Sequence, residues 1–163
     1  MDTLPLGFAE PAELYEPGTA DRIARGVCRR LGEIGYHSLL EFRVGIGRRA
    51  DVAALDATGR FIIVEIKSSL ADFRSDAKWP EYLPYCDAYY FAVADGFPQE
   101  ILPAEHGLIV ADEHDAVIRR EAPHRPMPAA RRKAQILRFG LVAASRLSFA
   151  TGFAPRDQDW RED

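Results

Sequence analysis

A chain of 163 residues, 47% hydrophobic and 28% charged, has the size and polarity of one well-filled globular domain. No apolar run approaches the roughly 18 residues of a membrane span, and the start MDTLPLGFAEPAELYEPG has neither part of a signal peptide, so cytoplasm is the expected location. The net charge of −4 argues against a nucleic-acid partner only until its distribution is read: Asp2, Glu10, Glu13 and Glu16 stand without a base, whereas residues 117–147 carry eight bases against Glu121 alone.

In chain order, residues 1–18 read as an extended arm, 19–150 as a single domain and 151–163 as a polar tail. Thr19 or Asp21 is placed to cap a helix running to about Glu33, with Ala20, Ile23, Ala24, Val27 and Leu31 on one face. Arg22, Arg25 and Arg29 form a basic stripe beside it. HSLLEFRVG reads as a strand, followed by ADVAALD and RFIIVEIKS. A short helix is expected from about Asp72, interrupted at Trp79-Pro80, where proline removes a backbone donor. AYYFAVA is a fourth strand, GLIVAD and AVIRREA two more, and a basic helix over roughly 128–147 closes the domain. The order predicts an α/β domain with a central mixed sheet flanked by helices. The lone cysteines Cys28 and Cys86 read as small buried apolar residues.

The most strand-like stretch, RRADVAALDATGRFIIVEIKSS, contains Asp51, Glu65 and Lys67, charged residues that are rarely buried unless paired or holding a metal. Ala57, Thr58 and Gly59 make a three-residue loop: a type I turn, then one left-handed residue, for which glycine is suited. That loop pairs Asp56 with Arg60 and sets Asp51 directly across from Glu65, with Lys67 two residues further along the same face. Val52, Ala54, Ile62, Val64 and Ile66 fall on the other, dry face. Two close carboxylates require a shared proton or a cation, and magnesium takes oxygen ligands. The competing reading is a surface hairpin with an ordinary ion pair to Lys67.

With those residues in view, the pattern helix, strand, RADV, turn, FIIVEIKSS, helix resembles the PD-(D/E)xK nuclease superfamily. Asp51 matches the first acid, Glu65 the second and Lys67 the lysine, while Ala50 stands where the motif has proline. The segments VEIKSSLADFRSDAKWPEYLPYCDAYYFAV and RRKAQILRFGLVAASRL are similar to MmcB-type proteins, regarded as endonucleases of DNA repair. The resemblance implies a restriction-endonuclease-like fold with an α-β-β-β-α-β core. It implies Mg²⁺ (or Mn²⁺) on Asp51 and Glu65, completed by the carbonyl of Ile66. Lys67 would then position or deprotonate water, or stabilise the phosphorane. A further acid often comes from the first helix; Asp21 and Glu33 are candidates, with Glu41 on the first strand as an alternative.

DNA is the expected partner, gripped mainly through phosphates by Arg22, Arg25, Arg29, Lys78, Arg131, Arg132 and Lys133. For the basic segment the alternative is a solvated helix face. A homodimer or a repair-protein partner is compatible with the sequence, and no membrane role is expected. Asp72, Asp76, Lys78 and Trp79 are expected beside the groove, with Trp79 packing against Tyr82, Tyr85 and Tyr89. Ser68 and Ser69 read as helix-capping residues. His37, His106, His114 and His124 lack metal-ligand spacing and read as surface histidines. Rival functions are a silent DNA-binding or partner-binding module on the same scaffold and a nuclease acting on RNA. A small metabolic enzyme is disfavoured, because GIG at 45–47 is followed by arginines rather than a helix start.

Overall fold

The computed structural model describes residues 18–153; residues 1–17 of the expected arm (1–18) and 154–163 of the expected tail (151–163) lie outside the described residues. Helix α1 (Thr19–Glu33) starts after Gly18, an extended residue that supplies no side-chain cap. Neither Thr19 nor Asp21 therefore caps the helix as expected; both are inside its first turn. Three strands follow, β1 (Tyr36–Arg43), β2 (Arg49–Asp56) and β3 (Phe61–Ile66), then α2 (Leu70–Ser75) and a 3₁₀ segment (Trp79–Tyr85). The Ser69 hydroxyl caps α2 by accepting from the Asp72 N–H, as the sequence suggests. Strand β4 (Ala88–Val93), a 3₁₀ turn (Gln99–Ile101), β5 (Gly107–Ala111), β6 (Ala116–Arg120) and α3 (Ala129–Ala150) complete the fold.

The six strands lie side by side in sequence order in one sheet. β1–β2, β2–β3 and β5–β6 are antiparallel, whereas β3–β4 and β4–β5 are parallel. The β2–β3 register pairs Val52 with Val64, Ala53 with Ile63 and Leu55 with Phe61, as expected from the three-residue loop. Gly59 adopts φ +84°, and its N–H donates to the Asp56 carbonyl at 3.1 Å. The Asp56 carboxylate accepts from the N–H groups of Thr58 and Arg60, holding both sides of the turn.

Strand alternation distributes the apolar residues to two cores. On one face, Val52, Ala54, Ile62, Val64 and Ile66 pack with Ile23, Val27 and Leu31 of α1. On the other, Ala53, Phe61, Ile63, Tyr89 and Phe91 meet the 3₁₀ segment and Phe139 of α3. The face carrying Glu65 and Lys67 is thus a second core rather than a wet surface, and β3 is buried along its whole length.

Helix α1 sits close against the β5–β6 turn at Gly26. A Cβ there would stand 2.1 Å from the Asp112 carbonyl oxygen and 2.5 Å from that of Asp115. Neither backbone atom can yield cheaply, so Gly26→Ala is expected to cost about 2–3 kcal/mol, as overpacking does. Urea unfolding checks this; a loss below about 0.5 kcal/mol contradicts the tight packing.

One expectation is corrected and one extended. His106 is buried rather than at the surface: its ring stacks edge-on with Trp79 at 5.0 Å and Tyr89 at 5.6 Å. Burial also lowers its imidazole pKa. Trp79 packs on Tyr89, as expected, and also on Phe91.

Candidate functional site

β2 and β3 cease to pair after Val52–Val64, and the carboxylates take over the ladder at that point. The Asp51 N–H donates to Glu65 Oε2 at 3.2 Å, and the Ile66 N–H donates to Asp51 Oδ2 at 2.7 Å. Each acid therefore satisfies a main-chain donor of the opposite strand. The two carboxyl groups are also within hydrogen-bonding reach of each other. Juxtaposition thus agrees with the sequence reading, but through splayed strands rather than as a regular cross-strand pair.

Glu65 is only 6% exposed. Its burial, and next the charge of Asp51, push its carboxyl up to about 8, with Lys67 opposing. A proton shared between the two acids is the metal-free state. A cation in its place relieves both the desolvation and the repulsion, so the donor set fits Mg²⁺ or Mn²⁺. Among the described residues no group of three or more His, Cys, Asp or Glu side chains gathers to hold a metal. Water and a substrate phosphate would complete the shell, which suits Mg²⁺.

That coupling has a pH consequence. Between about pH 4.5 and 8 the folded protein holds a proton on Glu65 that the unfolded chain releases, so metal-free stability declines as pH rises through this window. A metal held by Asp51 and Glu65 would have to displace the same proton. Mg²⁺ affinity is expected to rise about tenfold per pH unit up to about 8 and then level, with one proton released per ion below that pH. Calorimetry in buffers of different ionisation enthalpy measures this, and a pH-independent affinity contradicts it.

Lys67 directly follows β3, its N–H continuing the parallel ladder to the Ala92 carbonyl at 2.9 Å. Its ammonium, on a residue 4% exposed, meets Asp76 Oδ2 at 2.6 Å. Asp76 closes α2, and its other oxygen accepts from the Lys78 N–H at 2.9 Å. Burial pushes the Asp76 carboxyl up, but the Lys67 ammonium and the N–H groups of Lys78 and Trp79 outweigh it and hold the pKa below the ordinary value. The 3₁₀ segment then covers the pair. The Tyr82 hydroxyl, beside Glu65, donates to the Arg49 carbonyl at 2.7 Å. Burial, then Glu65, raises its pKa. Tyr89 presents a buried hydroxyl with no hydrogen-bond partner.

The family described as DNA repair protein MmcB-like matches residues 10–153. The chain belongs to the MmcB-like family. The solved SPO1766 protein of unknown function from Silicibacter pomeroyi is 42% identical, with a TM-score of 0.84 over 88% of this chain and 100% of its own. Among curated proteins, none matches the chain. In this MmcB-like chain, no helix among the described residues is long and apolar enough to cross a membrane.

The structure redistributes the remaining candidates. Asp21 and Glu33 belong to α1, on the sheet face opposite Glu65, and Glu33 pairs with Arg30 at 3.1 Å. Glu41 lies across from Asp51 in the β1–β2 register, between Leu40–Val52 and Phe42–Ala50, but takes φ +52° and pairs with Arg49 at 2.5 Å. None of the three joins the carboxylate pair. Arg22, Arg25 and Arg29 are exposed on α1, again behind the sheet. Arg131 donates to the Pro84 carbonyl at 3.1 Å and lies over the Tyr85 ring.

Arg132 is the clearest reassignment: its guanidinium grips both oxygens of Asp87, which is 0% exposed, and so ties α3 to the sheet. Lys78 and Lys133 are exposed and available to a polyanion. Missed by the sequence reading were Asp76 as the partner of Lys67, and the groups around Tyr82, including Arg48, whose guanidinium bonds Glu81. No spacing rule connects these residues; only the chain path does.

Proposed function

We propose that the protein is a divalent-metal-dependent DNA nuclease of the PD-(D/E)xK type, on a restriction-endonuclease-like scaffold, working in DNA repair. The observation that carries this reading is the convergence of Asp51, Glu65 and Lys67 where β2 and β3 splay. The family description supplies the repair context. Asp51 and Glu65 would hold Mg²⁺ or Mn²⁺, which when bound supplies charge stabilisation at a phosphate oxygen and a more acidic water. Lys67, a compact ammonium in a chain with 18 arginines and three lysines, would orient the attacking water or stabilise the phosphorane. Asp76 keeps that ammonium aimed along the site.

A second reading, a silent DNA-binding module on the same scaffold, draws on the near-complete burial of Lys67 behind Asp76. One experiment separates the two. Linear, flapped, branched and single-stranded DNAs, with single-stranded RNA alongside, are incubated with Mg²⁺ or Mn²⁺ and wild type, Asp51→Asn or Glu65→Gln. Metal-dependent cutting by wild type that both variants lose is expected. Cutting that survives in either variant, or DNA binding without any cutting, overturns the nuclease assignment.

A further inference from the structure

Arg48 stands on the turn that leads from β1 into the strand of Asp51. Its guanidinium bonds the Glu81 carboxylate of the 3₁₀ segment, 33 residues away in sequence. Glu81 is followed by Tyr82, whose hydroxyl bonds the carbonyl of Arg49, the residue next to Arg48, and feels the charges of Glu65, Asp51 and Arg48. The Arg48 side chain is 27% exposed and that of Glu81 is 54% exposed, so the pair is reached by solvent and open to exchange. Glu81 is therefore placed as a carboxylate stand-in for an incoming anion, since a guanidinium donates to carboxylate and phosphate oxygens alike.

We infer that Arg48 is a DNA-phosphate-binding residue of this site and that Glu81 occupies it in the DNA-free protein. The inference rests on reading the carboxylate pair as the nuclease centre, and it places a backbone phosphate next to the scissile one. It explains how DNA is held near the pair when the α1 stripe lies behind the sheet and Arg132 is committed to Asp87. Exposed ion pairs are weak, so a phosphate displaces Glu81 at little cost.

The test uses the full chain, a short fluorescein-labelled DNA duplex and anisotropy titrations in EDTA at several salt concentrations. Glu81→Gln is expected to tighten binding about three- to fivefold. Glu100→Gln, an exposed acid elsewhere, controls for net charge and is expected to change little. Arg48→Gln is expected to weaken binding and to reduce the slope of log affinity against log salt by about 0.9, the signature of one lost phosphate contact. In the Arg48→Gln background, Glu81→Gln is expected to add nothing. A gain from Glu81→Gln no larger than the control's, a gain that persists without Arg48, an unchanged salt slope, or no DNA binding by wild type each overturns the inference. Cleavage in Mg²⁺ is scored separately. Cutting by wild type with no Arg48 effect fails this inference alone, whereas the predicted affinity pattern without cutting fails the nuclease reading alone.

Discussion

Lys67→Ala is expected to lower turnover by about a thousandfold, with DNA affinity changed by less than about twofold. Removing one preorganised charge donor from a reacting oxyanion costs about 10²–10³ in rate, and the role proposed for Lys67 adds the orienting of water. Its burial accounts for the spared affinity: in the proposed nuclease an ammonium on a residue 4% exposed would serve the reacting phosphate and add little to the outer phosphate contacts. Asp76 is left without its partner in the variant. Its side chain is 22% exposed and keeps the Lys78 N–H, so hydration limits the loss of stability. Lys67→Arg is expected to be as inactive, because the larger planar guanidinium does not fit the space of a compact ammonium. Single-turnover cleavage, anisotropy and thermal melting on the same preparations separate the three effects. An active alanine variant rules out the role given to Lys67.

The second large effect concerns stability, and its centre is Asp87. This carboxylate, between the 3₁₀ segment and β4, accepts from the Phe61 N–H at 2.8 Å and the Met127 N–H at 2.9 Å, besides the Arg132 guanidinium. It thus joins β3, the segment before α3 and α3 itself at one buried point. Asp87→Ala removes the acceptor for two main-chain donors and leaves the guanidinium uncompensated, at an expected cost of about 3–5 kcal/mol. Arg132→Ala should cost less, about 2–3 kcal/mol, because water reaches that edge of the pair. Urea unfolding at pH 7 measures both; losses under about 1 kcal/mol would show the network to be incidental.

The pH dependence of that network has a definite sign. Burial pushes the Asp87 carboxyl up, but Arg132 and the two N–H groups outweigh it and hold the pKa below the ordinary value of 3.8. Its stabilisation is therefore complete above about pH 4 and disappears as pH falls through the depressed value. Glu65 runs the other way, losing metal-free stability as pH rises toward 8. If Asp51 and Glu65 hold Mg²⁺ as proposed, the ion should stabilise the fold most on the alkaline side, where Glu65 is ionised.

What the sequence determined by itself was local or periodic. Gly59 and the three-residue loop specify the hairpin register, because a left-handed residue can end such a loop only where the side chain permits it. That register assigns Val52, Val64 and Ile66 to the opposite core and points Asp51 toward Glu65, while the splay beyond Val52–Val64 sets how the two acids meet. Alternating and helical apolar spacing located the six strands and the two long helices, since burial acts on every turn or every second residue. Tertiary structure decided the rest. The Lys67–Asp76 pair spans nine residues, Arg48–Glu81 spans 33 and Arg132–Asp87 spans 45, and no periodicity links such positions. Arg132 and Arg22 read alike in sequence, as exposed basic helix residues. Only the packing of α3 against the Asp87 end of the sheet, and of α1 on the opposite face, makes one a structural anchor and places the other behind the site.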